Sequence, residues 1–110
     1  MADINEIVNG LEFELRRGTL ILSVLSQLSK PQYGYSLVQI LEEKGISIDV
    51  STLYPLLRRL EKQELLESSW ELIDARPRRY YFLSKTGKEV YVKMCEEWHK
   101  MVFNMNNIID

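Results

Sequence analysis

Residues 49–62 read DVSTLYPLLRRLEK, and this stretch decides the fold. Val50, Leu53, Leu57 and Leu60 recur at three, four and three residues, the period of a helix with one apolar side. Asp49 stands where an N-cap carboxylate belongs, and Pro55 falls just past the first turn, where it removes one backbone donor. The opposite stripe, Thr52, Pro55, Arg59 and Lys62, is polar or cationic, with Ser51 and Arg58 beside it. Small hydroxyls near a helix N-terminus permit close approach to bases and favour phosphate, and guanidinium and ammonium groups further along suit phosphates and guanine. The plainer reading is a solvated face with Glu61 among the cations. The position of this helix in the chain decides between the two.

Working outward, Ile4, Val8, Leu11 and Leu15 mark an amphipathic N-terminal helix, which Gly18-Thr19 kinks or restarts. Leu20 to Leu28 is almost continuously apolar, the pattern of a helix buried on most sides and ended by Lys30-Pro31. Gly34 to Lys44 carries Leu37, Val38, Ile40 and Leu41, with Gly45 placed for a left-handed C-cap. Beyond residue 62, Leu65–Leu72 and Arg79–Leu83 are rich in aromatics and lose the helical period. They are predicted as a hairpin whose turn, Ile73–Arg78, presents Arg76 and Arg78 beside Arg79, with Pro77 stiffening the tip. Ser84 then caps a last helix reaching about Ile108. The expected fold is mainly α with a small β-hairpin: a winged helix-turn-helix over residues 1–84 and a dimerisation helix over 85–110. In such a fold the helix at 50–62 enters the major groove and the hairpin reaches the backbone or minor groove.

The charge pattern agrees. The 110 residues carry a net charge of −2, yet residues 76–88 hold five of the fourteen basic residues and no acidic one. A basic segment on an acidic body suits a localised nucleic-acid contact. With 45% hydrophobic residues the chain has enough apolar mass for one core. Cys95 and His99 are single, so no intramolecular disulfide, metal set or histidine-dependent triad can be assembled, and neither metal nor cofactor is expected. An enzyme is disfavoured, because no nucleophile and base pair or glycine-rich phosphate loop is present. No apolar run nears the roughly 18 residues that cross a bilayer, and no basic stretch precedes an apolar one at the N-terminus, so a cytoplasmic protein with no membrane contact is expected.

The last helix carries a second signal. Tyr91, Met94, Trp98, Met101, Met105 and Ile108 recur at heptad spacing, and Val90, Val102 and Ile109 widen the apolar face. One small domain cannot cover both its core and this seam, so a homodimer is expected, with Ile4, Val8, Leu11 and Leu15 of a second copy lying against it. Two-fold symmetry would bring the two copies of Trp98 near the axis. There, with Met94, Met101, Val8 and Leu15, they either hold a flat aromatic or cationic molecule or pack on one another.

The string STLYPLLRRLE at 51–61, RPRRYYFLS at 76–84, Gly87, and Gly34-Tyr35 opening the second helix of the core together resemble the PadR family of transcriptional regulators. The likeness runs from about Gly18 to Gly87. The single C-terminal helix is similar to that of the smaller subfamily. The resemblance implies a dimeric repressor that binds double-stranded operator DNA and answers to a small aromatic or cationic ligand. Some multidrug-responsive members carry tryptophan at the place of Trp98. It places DNA contacts at Ser51, Thr52, Tyr54, Pro55, Arg58, Arg59, Lys62, Arg76, Arg78, Arg79 and Tyr80, the two tyrosines with part-buried rings and surface hydroxyls. Two positions depart from the family pattern: Glu64 stands where glycine is usual after the 50–62 helix, and the hairpin turn has no glycine. Ser84 replaces the usual threonine and keeps the capping oxygen. The alternative function is a winged-helix module that uses the same two elements on a protein partner.

Overall fold

Seven leucines and a valine lose essentially all contact with solvent, and all but Leu28, which lies two residues past the end of its helix, come from three helices that the sequence separates by only a few residues each. The computed structural model describes Asp3–Ile109. Helices α1 (Ile4–Arg17), α2 (Leu20–Ser26), α3 (Gly34–Glu43) and α4 (Val50–Lys62) are followed by strands β1 (Leu66–Ile73) and β2 (Arg76–Leu83) and helix α5 (Lys85–Ile109). Val24, Leu25 and Leu28 meet Leu37 and Leu41 of α3 and Leu53, Leu56, Leu57 and Leu60 of α4, and Leu66, Tyr81 and Leu83 close the core from the hairpin. The fold is mainly helical with one antiparallel two-stranded sheet, as expected. Two helix assignments shift: α2 ends at Ser26, short of Lys30-Pro31, and Leu56 joins the buried side of α4 while Val50 is only half-buried.

Helices α3 and α4 end in the same way. After α3, Gly45 takes a φ of 89°, its N–H reaches the Glu42 carbonyl at 3.0 Å, and Ile46 N–H reaches Leu41 at 2.8 Å. This is the Schellman arrangement, which satisfies the last free carbonyls. After α4 the corresponding bonds run from Glu64 to Glu61 at 2.9 Å and from Leu65 to Leu60 at 3.0 Å, but the left-handed residue is Glu64, with φ 66°. A Cβ in that region costs roughly 1–2 kcal/mol, and glycine returns part of the gain through unfolded-state entropy. Glu64→Gly is therefore expected to raise stability by about 1 kcal/mol, read as a higher urea midpoint.

The hairpin corrects the sequence reading. Ile73 pairs with Arg76, so the turn is only Asp74-Ala75, with φ values of 51° and 60°. Two consecutive left-handed residues are the hairpin turn whose twist matches its strands, and here it forms without glycine. Arg76, Pro77, Arg78 and Arg79 thus belong to β2 and not to the tip. Pro77 shares its register parity with Tyr81 and Leu83, whose N–H groups point away from β1 and bond Gln32 at 2.9 Å and Leu28 at 2.8 Å. A residue without N–H on that outer edge leaves the ladder intact.

The root of the hairpin is bound to the start of α5. Ser84 N–H donates to the Leu65 carbonyl at 3.0 Å, its hydroxyl donates to the Glu64 carbonyl at 2.7 Å, and Gly87 N–H donates to Ser84 Oγ at 2.9 Å. Gly87 is buried because the Leu65 carbonyl lies where its Cβ would be. From this anchor α5 runs for 25 residues, about 37 Å at 1.5 Å per residue. Its first half packs on the domain, where Tyr91, half-buried, lies against the chain's own core. Its second half projects. The radius of gyration is accordingly 16.4 Å, against about 13 Å for a compact chain of this length.

Candidate nucleic-acid interface

Burial of Leu53, Leu56, Leu57 and Leu60 orients α4, so its outermost ridge follows as Ser51, Pro55, Arg58 and Lys62, spaced by four, three and four residues and all exposed. Thr52 and Arg59, seven apart, form one exposed flank. Tyr54 and Glu61, also seven apart, form the other and are half-buried. The stripe predicted from sequence is thus rotated by part of a turn, with Arg58 nearer its centre than Arg59.

The N-terminus of α4 is already occupied. Asp49 Oδ1 accepts from Thr52 N–H at 2.8 Å and from the Ser51 hydroxyl at 2.6 Å. These bonds, Ser51's foremost, hold the Asp49 carboxyl below the ordinary aspartate range. The helix end therefore carries its own anion. This corrects the idea that it is open to phosphate, and it commits the Ser51 proton to Asp49.

Tyr54 serves the fold. A Cβ on Gly34 would lie 2.4 Å from its Cζ and Oη, so the glycine opening α3 is what lets the two helices approach. On the hairpin, Arg78 and Arg79 leave β2 on opposite faces. The Arg78 guanidinium lies 4.4 Å from the centroid of the Tyr33 ring, and Tyr80 meets that ring edge-on at 5.4 Å. Arg79 turns toward α4, donating to Glu61 Oε1 at 2.8 Å and to Ser68 Oγ at 3.0 Å, while the Ser68 hydroxyl bonds the other Glu61 oxygen. Arg76 makes no hydrogen bond or ion pair among the described residues. Tyr33, Glu61 and Ser68 were missed from sequence. Glu61 had a legible signal, its seven-residue offset from Tyr54, whereas Tyr33 and Ser68 become visible only once the strand register is known.

The register also alters the charge reading. Folding back β1 brings Glu67 and Glu71 into the same hairpin as Arg76, Arg78 and Arg79, with Asp74 at its tip, three anions with three cations. The hairpin is electrically balanced. Helix α4 carries three cations, Arg58, Arg59 and Lys62, against one anion, Glu61.

At the other end of the molecule, Trp98 lines a recess of about 400 Å³ with Thr19, Leu22, Ser23, Ser26 and Ile46. Val8, Leu15, Met94 and Met101, expected around it, do not line it within one chain. Helix α1 buries none of its residues, leaving Ile4, Ile7, Val8, Leu11, Phe13 and Leu15 exposed. A hollow of about 650 Å³ separates it from Ile46, Ile48 and Thr52 of the body. On α5, Trp98, Met101, Phe103, Met105, Ile108 and Ile109 are exposed as well. Among the described residues no group of three or more His, Cys, Asp or Glu could hold a metal, and no helix is long and apolar enough to cross a membrane.

A sequence model of the Transcriptional regulator PadR-like family matches residues 21–93, from α2 to the middle of α5. The chain belongs to the PadR-like family of transcriptional regulators. This PadR-family chain superposes on a PadR family transcriptional regulator from Eggerthella lenta with a TM-score of 0.91, at 43% identity and covering 96% of this chain and 95% of that one. It is similar to a transcriptional regulator from Clostridium thermocellum, with a TM-score of 0.78 at 28% identity, covering 88% of this chain and 99% of that one. In sequence it is 34% identical over 76 residues to Transcriptional regulator Rv3488 of Mycobacterium tuberculosis, spanning 68% of this chain and 71% of that protein. The family is one of DNA-binding regulators and not of enzymes. The matched segment contains the whole core, α4 and the hairpin; α1 and the projecting half of α5 lie outside it.

Proposed function

We propose that this PadR-family regulator is a homodimeric repressor that sets α4 of each subunit into successive major grooves of its operator and is released by a flat aromatic or cationic ligand. The single observation that carries the DNA face is the exposed ridge of α4, where Arg58 and Lys62, flanked by Arg59, outnumber the helix's one anion, Glu61, while the hairpin is neutral. Ser51, Thr52 and Pro55 approach the bases, and Arg76 and Arg78 reach the flanking backbone. Tyr54 and Tyr80, both half-buried, support these elements from within.

Support for dimerisation comes from α1 and the far half of α5, whose apolar side chains stay exposed among the described residues. A helix of 14 residues with no buried side chain gains no tertiary stabilisation by itself. Laying Ile4, Val8, Leu11 and Leu15 against Met94, Trp98, Met101, Met105 and Ile108 of a second copy covers both faces. In that assembly residues 1–84 form the reading head and 85–110 the joining helix, and the recess at Trp98 lies near the two-fold axis.

Footprinting on the DNA upstream of its own gene tests the whole reading. Two protected half-sites whose centres lie about 34–36 Å apart are expected, with protection lost on adding a flat cationic dye. Absence of protection at low salt would overturn the operator assignment, and protection that the dye leaves untouched would overturn the ligand.

A further inference from the structure

Helix α4 contains one acidic side chain, Glu61, next to Lys62 and one turn from Arg58. A carboxylate there is within a Debye length, about 8–10 Å, of the charges that would meet phosphate, so left alone it would cancel part of the ridge. It is not left alone. Arg79 bonds one oxygen at 2.8 Å and Ser68 the other. The Arg79 guanidinium also lies 5.5 Å from the Tyr81 ring centroid and 5.8 Å from that of Trp70. The guanidinium of Arg79, whose side chain is 37% exposed, is held by one carboxylate and one hydroxyl and lies beside two rings, so its charge is engaged first by Glu61.

We propose that Arg79 serves DNA binding from behind the interface, by masking the Glu61 carboxylate, without itself touching phosphate. It is a positioning residue, and its neighbour in sequence, Arg78, is the one on the opposite face. The consequence is a division of labour along β2: Arg76 and Arg78 reach toward the DNA backbone themselves, while Arg79 acts through Glu61, and the net charge that DNA meets on α4 rises because Arg79 neutralises an anion there. This inference rests on the reading of α4 as the DNA face.

The test uses a mixed-sequence duplex of about 30 base pairs, which reports the charge contribution whatever the operator, titrated across salt concentrations with the full-length protein. Arg79→Ala is expected to weaken binding about tenfold, and Glu61→Gln in the same chain to restore it to within about threefold, because the anion to be masked is gone. Glu61→Gln alone is expected to bind at least as tightly as the parent; it keeps Arg79, and it decides the matter if Arg79→Ala fails to fold. Arg79 as a direct phosphate contact predicts the opposite: no rescue by Glu61→Gln, and a salt slope shallower by about one per subunit. That result, an unchanged affinity in Arg79→Ala, or weakened binding in Glu61→Gln alone overturns the proposal while leaving the α4 reading intact. Failure of the parent protein to bind the duplex at low salt overturns both.

Discussion

Gly87→Ala is expected to lower the melting temperature by about 10 °C, the largest stability loss of any single methyl group added to this chain. A Cβ at residue 87 would lie 2.0 Å from the Leu65 carbonyl oxygen, 2.9 Å from its carbon and 3.3 Å from Leu83 Cδ2. The first two are backbone atoms with no rotamer to adopt. The oxygen is also the acceptor for Ser84 N–H, so moving it breaks the root of the hairpin. Two effects compete. Alanine is a better helix former than glycine by about 1 kcal/mol, whereas forcing atoms into a packed site costs roughly 1–3 kcal/mol and more when backbone must move. The contact distance places the second effect at or above the top of its range, leaving a net loss of about 2 kcal/mol, and each kcal/mol shifts the midpoint of a domain this size by about 4–8 °C. Gly10→Ala is the control, since a Cβ there meets nothing within 4 Å, and its melting temperature is expected to hold or rise. A parent-like midpoint for Gly87→Ala in a thermal scan followed by circular dichroism would show that α5 can slide off its anchor at no cost.

The second large effect is on DNA. Removing Arg58 and Lys62 together, as Arg58→Ala with Lys62→Ala, deletes four cations from the dimer proposed above. Each phosphate contact contributes about 0.9 to the slope of log affinity against log salt, so the slope is expected to become shallower by about three to four and binding at 0.1 M salt to weaken by about a thousandfold. Arg59 lies on the flank of α4, and Arg59→Ala alone is expected to change the slope by at most one per subunit. Both residues of the double variant are fully on the solvent side, so its melting temperature should match the parent's; a mobility shift equal to the parent's would move the DNA face off α4 altogether.

What sequence periodicity can and cannot reveal is clear from particular residues. The leucines of α4 and the Ser84 cap were legible because a helix is a local structure, with partners three or four residues away. Gly45 was legible for the same reason, lying at the end of a periodic run, whereas the anomaly at Glu64 was visible only against the pattern of the family. The turn at Asp74-Ala75 was not, because Arg76-Pro77 looks like turn chemistry and only pairing with β1 shows those residues to be strand. The basic segment shows a related effect: Arg76, Arg78 and Arg79 fall close together in sequence, but Glu67, Glu71 and Asp74 lie in the preceding strand and turn, and only the strand pairing brings the two sets side by side. Tyr91 fits the heptad spacing and also packs against the chain's own core, since spacing alone does not say which neighbour a seam meets. Gly34 and Gly87 were noticed as motif letters, while their reason, an aromatic ring in one case and a carbonyl in the other, comes from residues 20 or more positions away.

The hairpin is fastened at one end only. Near its root, Leu65 and Ser84 are bonded to each other, Leu83 to Leu28 and Tyr81 to Gln32, and Arg78 lies over the Tyr33 ring, whereas beyond Arg78 the strands have backbone bonds only to each other among the described residues, around a turn whose two residues both sit in a left-handed conformation. Such a ribbon does not open all at once. Its ladder should come apart from residue 74 inward, with the free energy of opening rising toward Tyr81 and reaching that of the whole domain only there. Amide hydrogens along β2 would then form a graded scale, and binding of DNA across the outer rungs would be seen as a slowing confined to them.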